Sequence, residues 1–131
     1  MTDVPGAGRL LLDTHVLLWW LRDTADLSDD LKERIDTEFE VYVSSVSVWE
    51  LSIKKASGKL KLPVDLSGWI RRSGLSELPI SLTHAELAGG LPRIHRDPFD
   101  RMLIAQALAE RLTLVTRDGL IRQYDVPILK A

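Results

Sequence analysis

Apolar residues in this chain form short continuous runs, amphipathic stripes and one nearly all-apolar helix, each bounded by polar punctuation. The first run, Leu10-Leu11-Leu12, stops abruptly at Asp13. A run so short and without alternation predicts a strand covered on both faces, as in the middle of a parallel sheet. Val16-Leu17-Leu18-Trp19-Trp20-Leu21 follows after only Thr14 and His15, which predicts a helix with Thr14 as its cap. Leu31, Ile35 and Phe39 recur at i, i+4 and i+8 beside an acidic face, predicting a surface helix opened by the cap Asp26-Leu27-Ser28-Asp29. Val41-Tyr42-Val43 reads as a strand, and Ser45 as the cap of a third helix that runs to Ser57 and stops at Gly58. In that helix Val46, Trp49, Ile53 and Ala56 form the expected inward stripe, with Glu50 bordering or joining it.

Further on, Asp65 to Ile70 opens a helix ending near Gly74, and Leu78-Pro79-Ile80 fits an edge strand, where proline is tolerated. Thr83-His84-Ala85-Glu86 has a capping-box pattern ahead of a short helix stopped by Gly89-Gly90. Asp97-Pro98 predicts an N-cap followed by proline at the first helical position, with Asp100 in the first turn. Residues 102–109 are apolar nearly all round, so this helix is expected to be buried, and Asp100 shares a face with Ile104 and Ala107. Leu112 to Thr116 is a late strand ending in Arg117-Asp118-Gly119, and Val126 to Leu129 reads as a final short strand. Strands alternating with helices predict an α/β fold, a three-layer α/β/α sandwich around a short parallel sheet. It is expected as one domain over residues 1–131, with residues 1–8 as a flexible N-terminal tail.

A chain of 131 residues is long enough for one core without staples. The absence of cysteine excludes a disulfide framework, a thiolate zinc site and a cysteine nucleophile. The first residues lack a basic and an apolar segment, and the run from Leu10 to Leu21 is broken by Asp13 and His15. Both features argue against a signal peptide or membrane span and for the cytoplasm. The net charge of -2 hides an uneven distribution: residues 23–40 carry eight acids against Lys32 and Arg34. Lys54, Lys55, Lys59 and Lys61 form an acid-free stretch, and Arg93, Arg96, Arg101 and Arg117 bracket the later acids. A phosphate backbone can use this second region and not the first, although charge runs also serve simply as solvated faces.

In a parallel sheet with helical crossovers, strand C-termini and the following helix N-termini share one edge, where open α/β sheets bind ligands. Asp13 and Asp118 directly follow strands, Glu50 lies in the second turn of a helix that follows one, and Asp100 opens the helix before the last long strand. Each acid has a structural reading on its own: Asp13 and Asp97 as caps, Glu50 paired with Lys54 at i+4, Asp118 in an Asp-Gly turn. Asp13, Glu50, Asp100 and Asp118 gathered together would repel, and their natural counter-ion is a hard divalent cation, Mg²⁺ or Mn²⁺. One or two such ions activate water and steady the leaving oxygen of a phosphodiester. Thr14, Ser45 and Thr116 are neighbours able to orient these acids. His95 is able to assist, although a lone histidine beside a helix start reads more readily as structural. Trp19, Trp20, Trp49 and Trp69 read as core, an exposed one being able to stack a base or dock a partner.

Four stretches together resemble the PIN-domain ribonucleases of the VapC type, toxin halves of toxin-antitoxin pairs. They are Leu10-Leu11-Leu12-Asp13-Thr14-His15, Ser44 to Leu51 with Trp49-Glu50-Leu51, His95-Arg96-Asp97-Pro98-Phe99-Asp100-Arg101 on through Ala107, and Leu114 to Asp118. They occur in the family's order and span nearly the whole chain. The resemblance implies a parallel sheet between helices, Mg²⁺-dependent hydrolytic cleavage of RNA, a homodimer, and inhibition by a small cognate antitoxin. It implies that Asp13, Glu50, Asp100 and Asp118 are the acidic metal ligands, with Asp97 an extra acid; the expected division is Asp13 and Asp100 for the main ion, with Glu50 and Asp118 completing or bridging a second. Lys54, Lys55, Lys59, Arg93 and Arg96 are then candidates for the RNA backbone. Two other readings use the same residues: a DNA nuclease of the repair or flap type, and a catalytically silent partner-binding module. An aspartyl-phosphate phosphatase is disfavoured, because Asp13-Thr14-His15 lacks a second Asp two positions on.

Overall fold

The computed structural model describes residues 8–131, so the tail expected over residues 1–8 lies, Gly8 apart, outside the described residues. Strands β1 (Arg9–Leu12), β2 (Glu40–Ser44), β3 (Ser76–Leu78), β4 (Thr113–Thr116) and β5 (Ile128–Lys130) form one parallel sheet in the order β3-β2-β1-β4-β5. Between and around them run α1 (Thr14–Leu21), α2 (Asp29–Thr37), α3 (Ser45–Ala56), α4 (Leu66–Arg72), α5 (Leu82–Gly90) and α6 (Pro98–Glu110). No helix among the described residues is long and apolar enough to cross a membrane.

Strand β1 is central because its side chains satisfy both faces at once. Leu10, Leu11 and Leu12 are each fully buried, and successive side chains point to opposite sides of a strand. Leu10 and Leu12 join Val16, Leu17, Ile35 and Ile70 in one core, while Leu11 joins Leu103, Ile104, Ala107 and Leu114 in another. Two cores, one on each side of the sheet, make the three-layer sandwich expected from the sequence. A fully buried leucine contributes about 1.5–3 kcal/mol, so the central strand is the best-anchored element of the sheet.

Several local expectations are corrected. The cap of α1 is Asp13, whose carboxylate accepts the His15 N–H at 3.1 Å, and Thr14 is already helical and buried. Ser44 rather than Ser45 caps α3, accepting the Val46 N–H at 3.0 Å. Phe39 lies past the end of α2, where the backbone has become extended, and it is 97% exposed. The buried face of α3 is Val46, Ser47, Glu50 and Leu51, whereas Trp49, Ile53 and Ala56 face outward. This helix lies between the two cores, Leu51 entering one and Val46 the other, so its inward arc centres on the polar Ser47 and Glu50.

The β3 strand ends at Leu78, because Pro79 has no N–H to continue a ladder. The capping box of α5 is built by Ser81 and His84, with imidazole Nδ1 accepting the Ser81 N–H at 3.0 Å, rather than by Thr83 and Glu86. Strand β5 starts at Ile128, one residue after Pro127. The cap of α6 is as expected: Asp97 accepts the Phe99 N–H at 2.8 Å, with Pro98 at the first position.

Leu11→Ala should therefore lower unfolding stability by about 2–5 kcal/mol in urea titration, and Phe39→Ser should stay within about 0.5 kcal/mol. Equal losses would contradict the burial assigned to the two residues.

Candidate metal centre

The chain steps outward from β1 in both directions, to β2 and β3 on one side and to β4 and β5 on the other. The helices on either side of that reversal leave a crevice beyond the carboxyl ends of the two central strands. Asp13 ends β1, its N–H bonded to the Val115 carbonyl of β4 at 3.0 Å, and Asp118 follows β4 by two residues. A cleft of about 330 Å³ opens there, lined by Asp13, His15, Trp19, Asp100, Arg117 and Asp118.

Asp13 is 4% exposed. Its Oδ1 accepts the His15 N–H, and its Oδ2 accepts the Thr116 hydroxyl at 2.6 Å. Burial works to raise its pKa, but contacts with His15 and the Thr116 bond outweigh burial and hold the carboxyl below the ordinary range. The Thr116 oxygen also accepts the Asp118 N–H at 3.1 Å, so one hydroxyl fixes the two acids that end β1 and β4 relative to each other. Asp118 turns its Oδ1 to the Leu120 N–H at 2.9 Å.

Asp100 behaves oppositely. Burial first, and then the charges of Asp97, Asp13 and Glu50, push its pKa up to about 7 despite the opposing influence of His95. His95 Nε2 lies 3.1 Å from Asp100 Oδ2 and 2.8 Å from Asp118 Oδ2. Burial lowers the imidazole pKa, and the contacts with Asp118, Asp100 and Asp97 more than reverse that, leaving it raised. Sequence reasoning set this histidine aside, although its spacing, two residues before the cap of α6 and five before Asp100, was the signal that it reaches the acids.

Glu50 is buried on the inward face of α3. Its Oε2 pairs with Lys54 at 3.2 Å, while its Oε1 is buried with no hydrogen-bond partner among the described residues. Of the neighbouring hydroxyls, Thr116 touches an acid. Thr14 instead donates to Ser47 at 2.9 Å, joining α1 to α3, and Ser45 is exposed.

The cations divide. Lys54, Lys59 and Arg96 line a groove of about 510 Å³ with Glu50 and Phe99. Arg93 and Arg96 line another of about 610 Å³ with His95 and Arg101. Lys55 turns to the Pro63 carbonyl at 3.3 Å. Trp49 stands exposed, edge-on to Phe99 with ring centroids 5.2 Å apart. Arg117 lies over the Trp19 ring, 4.4 Å from its centroid, rather than between the carboxylates.

These residues fit a divalent cation. Nε2 of His95 and carboxylate oxygens of Asp100 and Asp118 all lie within 4.8 Å of one another. An orphaned carboxylate oxygen on Glu50, and a carboxyl on Asp100 whose pKa burial and neighbouring acids raise to about 7, are what removal of a cation would leave. The carboxylate oxygens are donors suited to hard ions.

Fold and site together define a PIN-type α/β nuclease domain. The PIN domain family model matches residues 10–127, and the chain belongs to that family. PIN domains are nucleases, so the enzyme class read from the sequence, a hydrolase of phosphodiester bonds, stands with the family. The chain is 28% identical over 121 residues to ribonuclease VapC22 of Mycobacterium tuberculosis, covering 90% of this chain and 93% of that protein. Its fold is similar to the DNA-bound VapBC of Salmonella typhimurium, with a TM-score of 0.70 and 18% identity over 93% of this chain and 97% of that one. A toxin-antitoxin complex from Klebsiella pneumoniae gives a TM-score of 0.65 and 18% identity, over 92% and 95%.

The raised Asp100 pKa has a measurable sign. The fold disfavours the ionised form, so metal-free protein loses stability as pH rises from the unfolded value near 3.8 through the folded value of about 7. Asp100→Asn should melt higher than the native chain at about pH 8, and the gap should close towards about pH 4, where both are uncharged at this position. Thermal melts across pH check this. A variant less stable than the native chain at the alkaline end would contradict it.

Proposed function

We propose that this chain is a Mg²⁺-dependent endoribonuclease, able to use Mn²⁺, and the toxin of a toxin-antitoxin pair. The observation that carries the reading is the gathering of Asp13, Asp100 and Asp118 around one cleft, with Glu50 in electrostatic reach and one of its oxygens unpartnered. Asp13 and Asp100 would hold the main ion, with Glu50 and Asp118 as its further ligands or ligands of a second. A divalent cation supplies activation of water and neutralisation of charge on the phosphate being cut.

The chain's own residues prepare that chemistry. Asp13 stays ionised because the His15 N–H and the Thr116 hydroxyl donate to it. Asp100 would have to give up its proton to hold a cation, so binding would strengthen with pH through its raised pKa. Thr116 keeps Asp13 and Asp118 in fixed relation. Lys59, Arg93 and Arg96, all exposed, hold phosphates of the backbone, and Lys54 is shared between Glu50 and the substrate. Lys55, engaged with the Pro63 carbonyl, has the smallest part.

Support for RNA and for the antitoxin comes from the relatives: one is named a ribonuclease, and a structural neighbour is a toxin-antitoxin complex. By that likeness the chain acts in the cytoplasm as a homodimer restrained by a cognate antitoxin.

Incubating total cellular RNA and single-stranded DNA of matched length with Mg²⁺, Mn²⁺ or EDTA tests the reading. RNA should be cut with either ion and left intact in EDTA. Folded Asp13→Asn and Asp100→Asn should each be slower by at least about 10²-fold, the scale of losing a few kcal/mol of charge stabilisation. Cleavage in EDTA, equal cutting of DNA, or full activity in both variants would each overturn it.

A further inference from the structure

The histidine between the acids has a role that its proton placement decides. His95 Nδ1 accepts the backbone N–H of Asp97 at 3.2 Å, so that nitrogen carries a lone pair, and the ring hydrogen sits on Nε2. Nε2 in turn faces two carboxylate oxygens, Asp118 Oδ2 at 2.8 Å and Asp100 Oδ2 at 3.1 Å. The hydrogen bond goes to Asp118, while Asp100 faces the same nitrogen at ion-pair distance, and a nitrogen bearing hydrogen has no lone pair for a metal. The alternative tautomer would free Nε2 only by pointing a hydrogen at the Asp97 N–H.

The backbone around the ring is held just as firmly. The His95 N–H donates to the Tyr124 hydroxyl at 2.7 Å, and that hydroxyl donates to the Pro92 carbonyl at 2.9 Å. The Arg101 guanidinium collects the carbonyls of Ala88, Leu91 and Pro92 at 2.8–3.0 Å, and of His95 at 3.4 Å. Tyr124 is buried, so the segment leading into α6 is tied to the core on one side and to α6 itself on the other.

We propose that His95 is a positioning residue, which donates its Nε2 hydrogen to Asp118, draws Asp100 to the same ring edge at ion-pair distance, and so holds the two carboxylates at one spacing for a divalent cation. The proposal rests on the metal-centre reading above. It assigns the imidazole beside the ion rather than on it, as a neighbour that orients ligands without joining them.

Nitrogen NMR on the full-length chain with ¹⁵N-labelled histidine reads the proton directly. In metal-free protein, at a pH above the raised imidazole pKa, His95 should show a protonated Nε2 and an unprotonated Nδ1, and Nε2 should keep its hydrogen when Mg²⁺ is added to saturation. Calorimetric titration with Mg²⁺ and with Mn²⁺ gives the second readout. His95→Ala should weaken both ions by about 10- to 100-fold, the usual effect of removing a group that orients metal ligands. His95→Gln keeps an N–H at a similar reach and should recover most of that loss. Loss of the Nε2 hydrogen on adding Mg²⁺, or a selective loss of Mn²⁺ in both variants, would make His95 a ligand and overturn the proposal. Unchanged affinity in His95→Ala would overturn it too. The tautomer in metal-free protein stands even if His95→Ala fails to fold. Failure of the native chain to bind either ion would instead defeat the metal-centre reading, which separates the two.

Discussion

Like charges drawn into a half-buried cleft raise one another's free energy, and Asp13, Asp100 and Asp118 line one cleft at the carboxyl edge of this sheet, with the charge of Glu50 acting on Asp100, in spite of that. Two unit charges ~4 Å apart interact by ~4 kcal/mol at an effective dielectric of ~20, several times what an exposed ion pair contributes. A domain stable by only about 5–15 kcal/mol has to relieve such repulsion rather than simply absorb it. Three devices are visible. Asp13 is kept ionised by donors on two sides, Asp100 is kept protonated up to a pKa of about 7, and the His95 imidazole lies between Asp100 and Asp118. Glu50 retains one oxygen without any such relief.

The topology brings the acids together, and packing holds them there. Parallel pairing of β1 with both β2 and β4 sets the ends of the central strands at one edge, and the register of Leu12 with Val115 places Asp13 beside Thr116. The buried leucines of β1 sit in two cores, so the strand that ends in Asp13 has little freedom to shift. On the α3 side, the buried bond from Thr14 to Ser47 fastens α1 to α3 one turn before Glu50. The carboxylates therefore stand on rigid elements, which limits how far they can relax away from each other.

Much of this was legible in the residues. Continuous apolar runs marked β1 and β4 because both strands are covered on each face, and Asp97-Pro98 marked the start of α6 because proline at the first helical turn is so position-specific. What the sequence concealed came from tertiary context. Helical periodicity put Trp49 and Ile53 inward, yet α3 touches two cores at once and turns Ser47 and Glu50 to the interior. Phe39 continued an i+4 stripe only on paper, since the backbone had already turned toward β2. The cap of α3 slipped by one residue, to Ser44, and of the two caps open for α1 it is Asp13 rather than Thr14 that is used, because a side chain ending a strand is as well placed to cap as the next. His95 gave only a weak signal, its spacing ahead of Asp97 and Asp100, because its other partner, Asp118, comes from a distant part of the chain.

Anomalous diffraction from crystals soaked in Mn²⁺ tests the central claim most directly. The account predicts a peak in the cleft within about 2.0–2.3 Å of carboxylate oxygens from Asp13 and Asp100, the range for a small octahedral divalent ion. Saturating Mn²⁺ that leaves the cleft without a peak, with Asp100 still against His95, would contradict it.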